Sequence, residues 1–348
     1  MKKIKLTFII VISLLLFGCT KNDDKKKNST TKNRTYTYTT KEKMHISTIE
    51  KKEYEKMVFG YYPQSLETNG EVINNLNLAA GDLPTSDNKK NWSKYKYIEG
   101  DNQNRNIWYI DLDTTNNGKY DYRGFYFTEY RIARDEFGGI RSNLSFQPSN
   151  GYSCGNVYWF KYEQIEWDIV EKKDGKAMLV ANVILDSQWF NTGFWDEQEH
   201  NGGVSYSWDY KYSDIRKFLN EGFYNMAFDD SEKDLINCTL VDNSADSRPM
   251  PDNRYHFEDC EDNVFLLSFT EAYNYYVKTK NSLVKGSDYA KAQGLRVYDN
   301  GCSSWYLRSY NPSSYGGIIL NMLYLGEIGV DDLIYIYIGV RPALWINL

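Results

Sequence analysis

The side chains best suited to bind a ligand lie in the polar segment WFNTGFWDEQEHNGGVSYSWDY, which follows an apolar run from Lys176 to Leu185. Loops of this length often carry function. The segment predicts a ligand rim, although an irregular loop held down by tryptophans has the same pattern. The ligand-binding candidates are three indoles, two carboxylates and one imidazole: Trp189, Trp195, Glu197, Glu199, His200 and Trp208.

Catalytic chemistry is harder to assign from the sequence. Glycoside hydrolysis needs two carboxylates at a fixed separation, and Asp196, Glu197, Glu199 and Asp209 are the candidates to converge. The stretch HFEDCED, from His256 to Asp262, offers metal ligands close together, but an ordinary polar loop has the same composition. HExxH and a Gly-rich phosphate loop following a strand are missing from the sequence. No catalytic residue is therefore assigned and no cofactor is predicted.

A second set of oxygen ligands surrounds Asn117-Gly118, a strong hairpin signal between two aromatic runs. Calcium prefers such oxygens, but the spacing departs from an EF-hand loop because Gly124 stands where a bidentate Glu belongs. We therefore favour a turn over a calcium site. The calcium candidates are Asp111, Asp113, Asn117 and Asp121.

The N-terminus is typical of an exported protein. Three lysines precede an apolar run from Leu6 to Phe17 that is too short to span a bilayer. The run ends in LFGC, which resembles the lipobox of bacterial lipoproteins, in which the cysteine is lipidated. This predicts a signal peptide over residues 1–19 and an anchor at Cys19, outside the cytoplasm on a membrane that the sequence does not specify; the alternative is an ordinary secreted protein.

Residues 20–52 are polar and lack apolar periodicity, which is typical of a disordered stalk. The whole chain carries a net charge of −6 and the first 52 residues carry +9, so residues 53–348 carry −15. A basic stalk is attracted to anionic lipids. An acidic body argues against nucleic acid as a partner.

Four cysteines remain in the body: Cys154, Cys238, Cys260 and Cys302. They allow three pairings, and Cys238 with Cys260 is the first to test because both flank one loop. Free buried thiols are equally compatible with the sequence.

The elements that position these residues are short helices in the middle of the body and strands at both ends. Serines at positions 213, 231, 268 and 287 each precede a helical pattern, and Ser268 with Glu271 has capping-box spacing. The stretches VFLLS, SSWYLRS, GGIILNMLYLG and DLIYIYIGVRPALWINL are typical of strands. This distribution predicts a single α+β body over 53–348, with a β-rich N-terminal part over 53–156.

Two arginines interrupt apolar strands near the end of the chain. Arg341 precedes Pro342, which cannot donate to a sheet ladder and so predicts a break in the strand. Arg341, and Arg308 in WYLRS, would be buried only if paired with a carboxylate. We interpret both as structural arginines.

Several phrases occur in a familiar order, among them FGYYPQS, DYRGFYFTEYR, IEWDIV, AMLVANVILDSQWFN, DIRKFLNEGFYNMAF, DNVFLLS, SDYAKAQG, WYLRS and GVRPALW. Together, from Val58 to Leu348, they resemble the bacterial family known as domain of unknown function 6273, and the resemblance implies that residues 157–348 are the core of the family domain. The resemblance implies a C-type-lectin-like architecture with a mixed, mainly antiparallel sheet, few short helices and long loops. That architecture is similar to the formylglycine-generating enzymes, but only Cys302 invites comparison with their reactive cysteine pair, so their activity is not carried over.

Two functions follow as expectations. The first is a lipid-anchored envelope protein whose body is a non-catalytic ligand-binding or adhesion module for glycan or protein. The alternative is an envelope enzyme, either a carboxylate-dependent glycan hydrolase or a distant relative of the formylglycine-generating oxidases.

Overall fold

Antiparallel strands dominate the body in a computed structural model of the chain, and the predicted α+β class is confirmed. The structure describes residues 52–97, 106–131, 145–192, 198–200, 203–244, 247, 257–311, 318–332 and 337–348. Within these residues no helix is long and apolar enough to cross a membrane.

The larger sheet has eight strands, numbered here in chain order. They are β1 (Glu55–Leu66), β2 (Ser93–Lys94), β3 (Ile107–Leu112), β4 (Tyr122–Phe127), β5 (Val157–Lys173), β6 (Lys176–Ala181), β10 (Ile236–Asn237) and β17 (Ala343–Asn347). Their order is β10-β17-β6-β5-β4-β3-β2, and β1 also pairs with β5. The long strand β5 is therefore the centre of the sheet.

The smaller sheet has five strands in the order β15-β14-β13-β16-β7. They are β7 (Asp186–Ser187), β13 (Trp305–Tyr310), β14 (Ile318–Met322), β15 (Ile328–Asp332) and β16 (Gly339–Val340). Two ribbons pair β8 (Gln198–His200) with β9 (Gly203–Ser205), and β11 (Thr239–Val241) with β12 (Cys260–Asp262). The β13–β16 pair is parallel and the other strand pairs are antiparallel.

The break predicted at Pro342 is a change of sheet. Strand β16 belongs to the smaller sheet and β17 to the larger one, with Arg341 and Pro342 between them. Pro342 still accepts a hydrogen bond, from the Ala181 amide at 2.9 Å. A residue without an N–H fits here because neither ladder needs a donor at the crossing.

The predicted caps at Ser213, Ser268 and Ser287 are confirmed, because each serine side chain accepts a backbone N–H of the first helical turn. The predicted cap at Ser231 is wrong, because Asp229 is the N-cap of that helix and forms its capping box with Glu232. The helices are α1 (Gly70–Ala80), α2 (Asp214–Lys217), α3 (Tyr224–Ala227), α4 (Asp230–Lys233), α5 (Phe269–Ala272) and α6 (Asp288–Ala292). π-Helical turns span Phe218–Phe223 and Tyr273–Val277, and a 3-10 turn spans Tyr210–Tyr212.

One predicted strand is wrong. The stretch VFLLS is buried, but it makes a single bridge, between Phe265 and Ala343, and is otherwise irregular. The helix cap at Ser268 ends it. An apolar run of five residues does not distinguish a strand from a buried connection.

The core lies around the central strand β5. Phe125, Phe160 and Trp167 are fully buried, and the Phe160 ring packs edge-on to Tyr289 at 5.3 Å between centroids. Complete burial of a phenylalanine side chain contributes roughly 1.5–3 kcal/mol. The Trp167 indole N–H donates to the Phe59 carbonyl at 2.7 Å, so β1 is held to the same core.

Candidate functional site

Two of the predicted rim tryptophans lie in the core. Trp189 is 8% exposed and Trp208 is 4% exposed. The Arg131 guanidinium lies 5.2 Å from the centre of the Trp189 ring, and Tyr206 stacks on Trp208 at 4.9 Å. Neither indole presents a face to solvent, because the residues on both sides of each tryptophan are buried as well.

The other residues of that segment are less informative. Glu199 and His200 belong to strand β8, while Trp195, Asp196 and Glu197 lie outside the described residues. The predicted role of Trp195 and Glu197 therefore stays a prediction. Asp209 is buried, and it accepts from the Asn243 side chain at 2.9 Å and the Lys211 amide at 3.0 Å. Burial raises the pKa of Asp209 to about 6.

The calcium candidates surround the turn that joins β3 to β4, and the predicted hairpin is confirmed. Their oxygens are occupied by the chain itself. Asp113 accepts the amides of Asn117 and Gly118 at 3.1 and 2.8 Å, and Asp121 accepts the Thr114 amide at 2.8 Å. Asp111 pairs through both oxygens with Arg123. In the described chain no group of three or more His, Cys, Asp or Glu side chains is arranged to hold a metal.

All four body cysteines are free thiols, including the pair Cys238 and Cys260. Cys238 is exposed, whereas Cys260 is buried on β12. Burial raises the pKa of the Cys260 thiol to about 12. A thiol so hard to ionise is a poor nucleophile.

Both strand arginines are buried and paired with carboxylates. Arg341 is 1% exposed and its Nη2 lies 3.1 Å from Asp168. Arg308 is 2% exposed and its Nη1 lies 2.6 Å from Glu271, which completes the capping box of α5. Arg341 thus joins the crossing between β16 and β17 to β5, and Arg308 joins β13 to α5.

A cleft lined by tyrosines opens beside the β3–β4 turn, and its volume is about 170 Å³. Its lining comes from strands β1 and β5, the turn, and the chain from α3 into α4. We call it the tyrosine cleft. Its lining residues are Tyr61, Gly118, Lys119, Tyr120, Tyr162, Met226, Ala227, Phe228, Asp229 and Glu232.

The three tyrosines of the cleft differ in exposure. Tyr120 is 57% exposed, and its ring centre lies 6.0 Å from that of Tyr162 at an interplanar angle of 39°. Tyr61 is half-buried and follows a bulge in β1 at Phe59 and Gly60. Bulges re-aim side chains, and this one places Tyr61 at the cleft.

Charged groups form the polar side of the tyrosine cleft. Lys119 Nζ lies 3.0 Å from Asp229 Oδ2 and 5.2 Å from the centre of the Tyr61 ring. Hydrogen bonds from Ser231 and Lys119 lower the pKa of Asp229 well below its ordinary range. Glu232 accepts the amides of Gly60 at 2.9 Å and Asp229 at 3.0 Å. An ionised carboxylate thus stands beside aromatic faces.

The order of the late motifs, ending in the arginine that crosses between sheets, corresponds to one known family. Its model, described as Domain of unknown function (DUF6273), matches residues 174–348. The chain belongs to the DUF6273 family. No curated protein and no solved structure matches the chain.

The DUF6273 domain supplies only half of the tyrosine cleft. Residues 226–229 and Glu232 lie within the matched range, while Tyr61, the turn residues and Tyr162 precede it. The cleft therefore needs both the β-rich N-terminal part and the DUF6273 domain. The hairpin pattern NGKYDY pointed to the turn, but no local pattern connects it with Asp229.

Proposed function

We propose that this protein is a non-catalytic ligand-binding module, anchored by lipid at Cys19 to the cell envelope, whose ligand occupies the tyrosine cleft. The observation that carries the proposal is the combination of an exposed tyrosine, two half-buried ones and ionised side chains around one concave surface. Ligand sites are typically concave and largely apolar, with a few placed polar groups. Tyrosine offers an apolar ring face with a polar tip.

The carboxylates of the cleft favour binding over turnover. A general acid needs a pKa near the working pH, whereas the pKa of Asp229 is lowered by its hydrogen bonds. Glu232 is committed to two backbone amides that hold α4 against the β1 bulge. Asp229 therefore serves better as a fixed charge than as a proton donor, and Glu232 serves to hold the helix in place.

The proposal also covers the arrangement of the strands within the α+β body. We infer a C-type-lectin-like arrangement, which is supported by the antiparallel strands and by the arginine-bearing crossing into the last strand. An experimental structure of the chain, compared with lectin-like folds strand by strand, tests it.

A glycan array probed with the full chain in non-ionic detergent tests the function. We expect retention of at least one class of envelope or surface glycan, and roughly tenfold weaker binding by Tyr120→Ala because an aromatic contact is lost. Tyr273→Ala is the matched control, since Tyr273 is also an exposed tyrosine, at 41%, but lies outside the cleft.

Two results would count against the proposal. Release of a cleaved product from the array would show turnover. Equal binding by wild type and Tyr120→Ala would place the ligand elsewhere, and a protein ligand found by pull-down would then be compared with the same two variants.

A further inference from the structure

We propose that the tyrosine cleft recognises a cationic ammonium group on its ligand, either a primary amine or a quaternary ammonium. The inference rests on the proposed function, because it names the chemistry of the ligand that the cleft binds. Three features carry it: a cation already seated in the cleft, the arrangement of the rings, and the excess of negative charge.

The first feature is the side chain of Lys119. Its ammonium lies over the Tyr61 ring at 5.2 Å and bonds to Asp229 at 3.0 Å. A cation within about 6 Å of a tyrosine face is attracted by the ring's negative face. The chain's own ammonium thus occupies the position that a ligand cation would take.

The contact between Lys119 and Asp229 is weak enough for a ligand ammonium to replace that of Lys119. Their side chains are 55% and 41% exposed, so water screens their attraction. Pairs exposed to this degree contribute little to stability. An incoming ammonium that makes the same two contacts can therefore displace Lys119 without a large loss elsewhere.

The rings form the second feature. Tyr120 and Tyr162 stand 6.0 Å apart beside Tyr61, so that three aromatic side chains border one small volume. Aromatic cages of this kind are the usual means of binding quaternary ammonium groups.

Charge is the third feature. Asp229 and Glu232 outnumber Lys119, and the whole body is acidic. An anionic ligand would meet two carboxylates and be repelled, while a neutral sugar would gain only ring contacts. Displacement of Lys119 frees the Asp229 carboxylate for the ligand, and a cation gains most from that.

Titration of the full chain in non-ionic detergent with two matched probe pairs, followed by calorimetry or NMR shifts, tests the inference. Choline is compared with its neutral isostere 3,3-dimethyl-1-butanol, and Nα-acetyl-lysine amide with Nα-acetyl-norleucine amide. We expect at least one cation to bind at least about tenfold more tightly than its neutral partner. The better cation distinguishes a quaternary ammonium source from a primary amine.

Three variants locate the effect in the tyrosine cleft. Tyr61→Ala should weaken binding of the cation about tenfold. Asp229→Asn should weaken it as well while keeping the helix cap, because asparagine caps as well as aspartate. Lys119→Ala should strengthen it several-fold, a gain that loss of a merely structural residue would not produce, and Lys278→Ala beside Tyr273 is its control.

The outcomes separate the inference from the proposed function. Equal binding of charged and neutral probes, no binding of either, or no gain in Lys119→Ala, overturns the ammonium inference. If a neutral glycan still binds and depends on Tyr120, the proposed function stands. If no glycan or protein ligand depends on Tyr120, both are overturned.

Discussion

Arg341 is the residue on which the end of the chain depends. Its Nε donates to the Ala181 carbonyl at 2.7 Å and its Nη2 lies 3.1 Å from Asp168, while the Tyr276 and Trp305 rings lie 4.2 and 4.9 Å from the guanidinium carbon. The arginine thus connects the crossing between sheets to strands β5 and β6. Its burial and its carboxylate partner are what the apolar sequence around it predicted.

We expect Arg341→Ala to lower the free energy of unfolding by about 3 kcal/mol, the low end of the cost of breaking a buried pair, because Asp168 loses its buried partner but keeps its contact with Lys56. Urea denaturation measures the change. Lys172→Ala, which removes the exposed pair with Glu55, is the control and should cost at most about 1 kcal/mol. Unchanged stability together with lost ligand binding would instead make Arg341 part of a binding site.

Among the helices and strands, the features set by neighbouring residues in the sequence were predictable, whereas those set by tertiary contacts were not. The caps at Ser213, Ser268 and Ser287 were predictable because a cap is a bond within four residues. The bulge at Gly60 was not, since its reason lies at Phe228 in a distant part of the sequence. Gly60 has φ +74°, and a Cβ there would stand 2.5 Å from the Phe228 ring and 2.8 Å from the Ala227 carbonyl oxygen.

Gly60→Ala should therefore destabilise the protein by more than its positive φ alone requires, with a total cost of roughly 2–4 kcal/mol. It should also weaken ligand binding, because Ala227 and Phe228 line the tyrosine cleft and have to move. Gly175→Ala is matched for backbone conformation, with φ +73° and open space around it. We expect only about 1–2 kcal/mol there, and no effect on the ligand. Equal costs in thermal and urea unfolding would show that the Phe228 contact relaxes freely.

For the whole molecule, the sequence predicted the α+β class and the break before the last strand, because both depend on patterns that are continuous along the chain. The tyrosine cleft could not be predicted from the sequence. Lys119 and Asp229 meet across 110 residues, and Tyr61 reaches them only because a bulge turns it there. Two of the three indoles that looked best suited to binding, Trp189 and Trp208, lie instead in the core, since a large apolar ring stabilises the interior when it is buried.

Anchoring is the prediction that concerns the molecule as a whole. If Cys19 carries two or more acyl chains, each buried methylene contributes about 0.8 kcal/mol and the protein stays with the membrane. We expect wild type expressed in a bacterial host to incorporate a labelled fatty acid and to sediment with membranes. Cys19→Ser should lose the label and leave the lipid-anchored fraction. Cys238→Ser, which removes an exposed body thiol, should keep both properties. Label retained in Cys19→Ser would place the acyl chain elsewhere, whereas unlabelled wild type in the medium would identify an ordinary secreted protein and leave the tyrosine cleft to act free of the membrane.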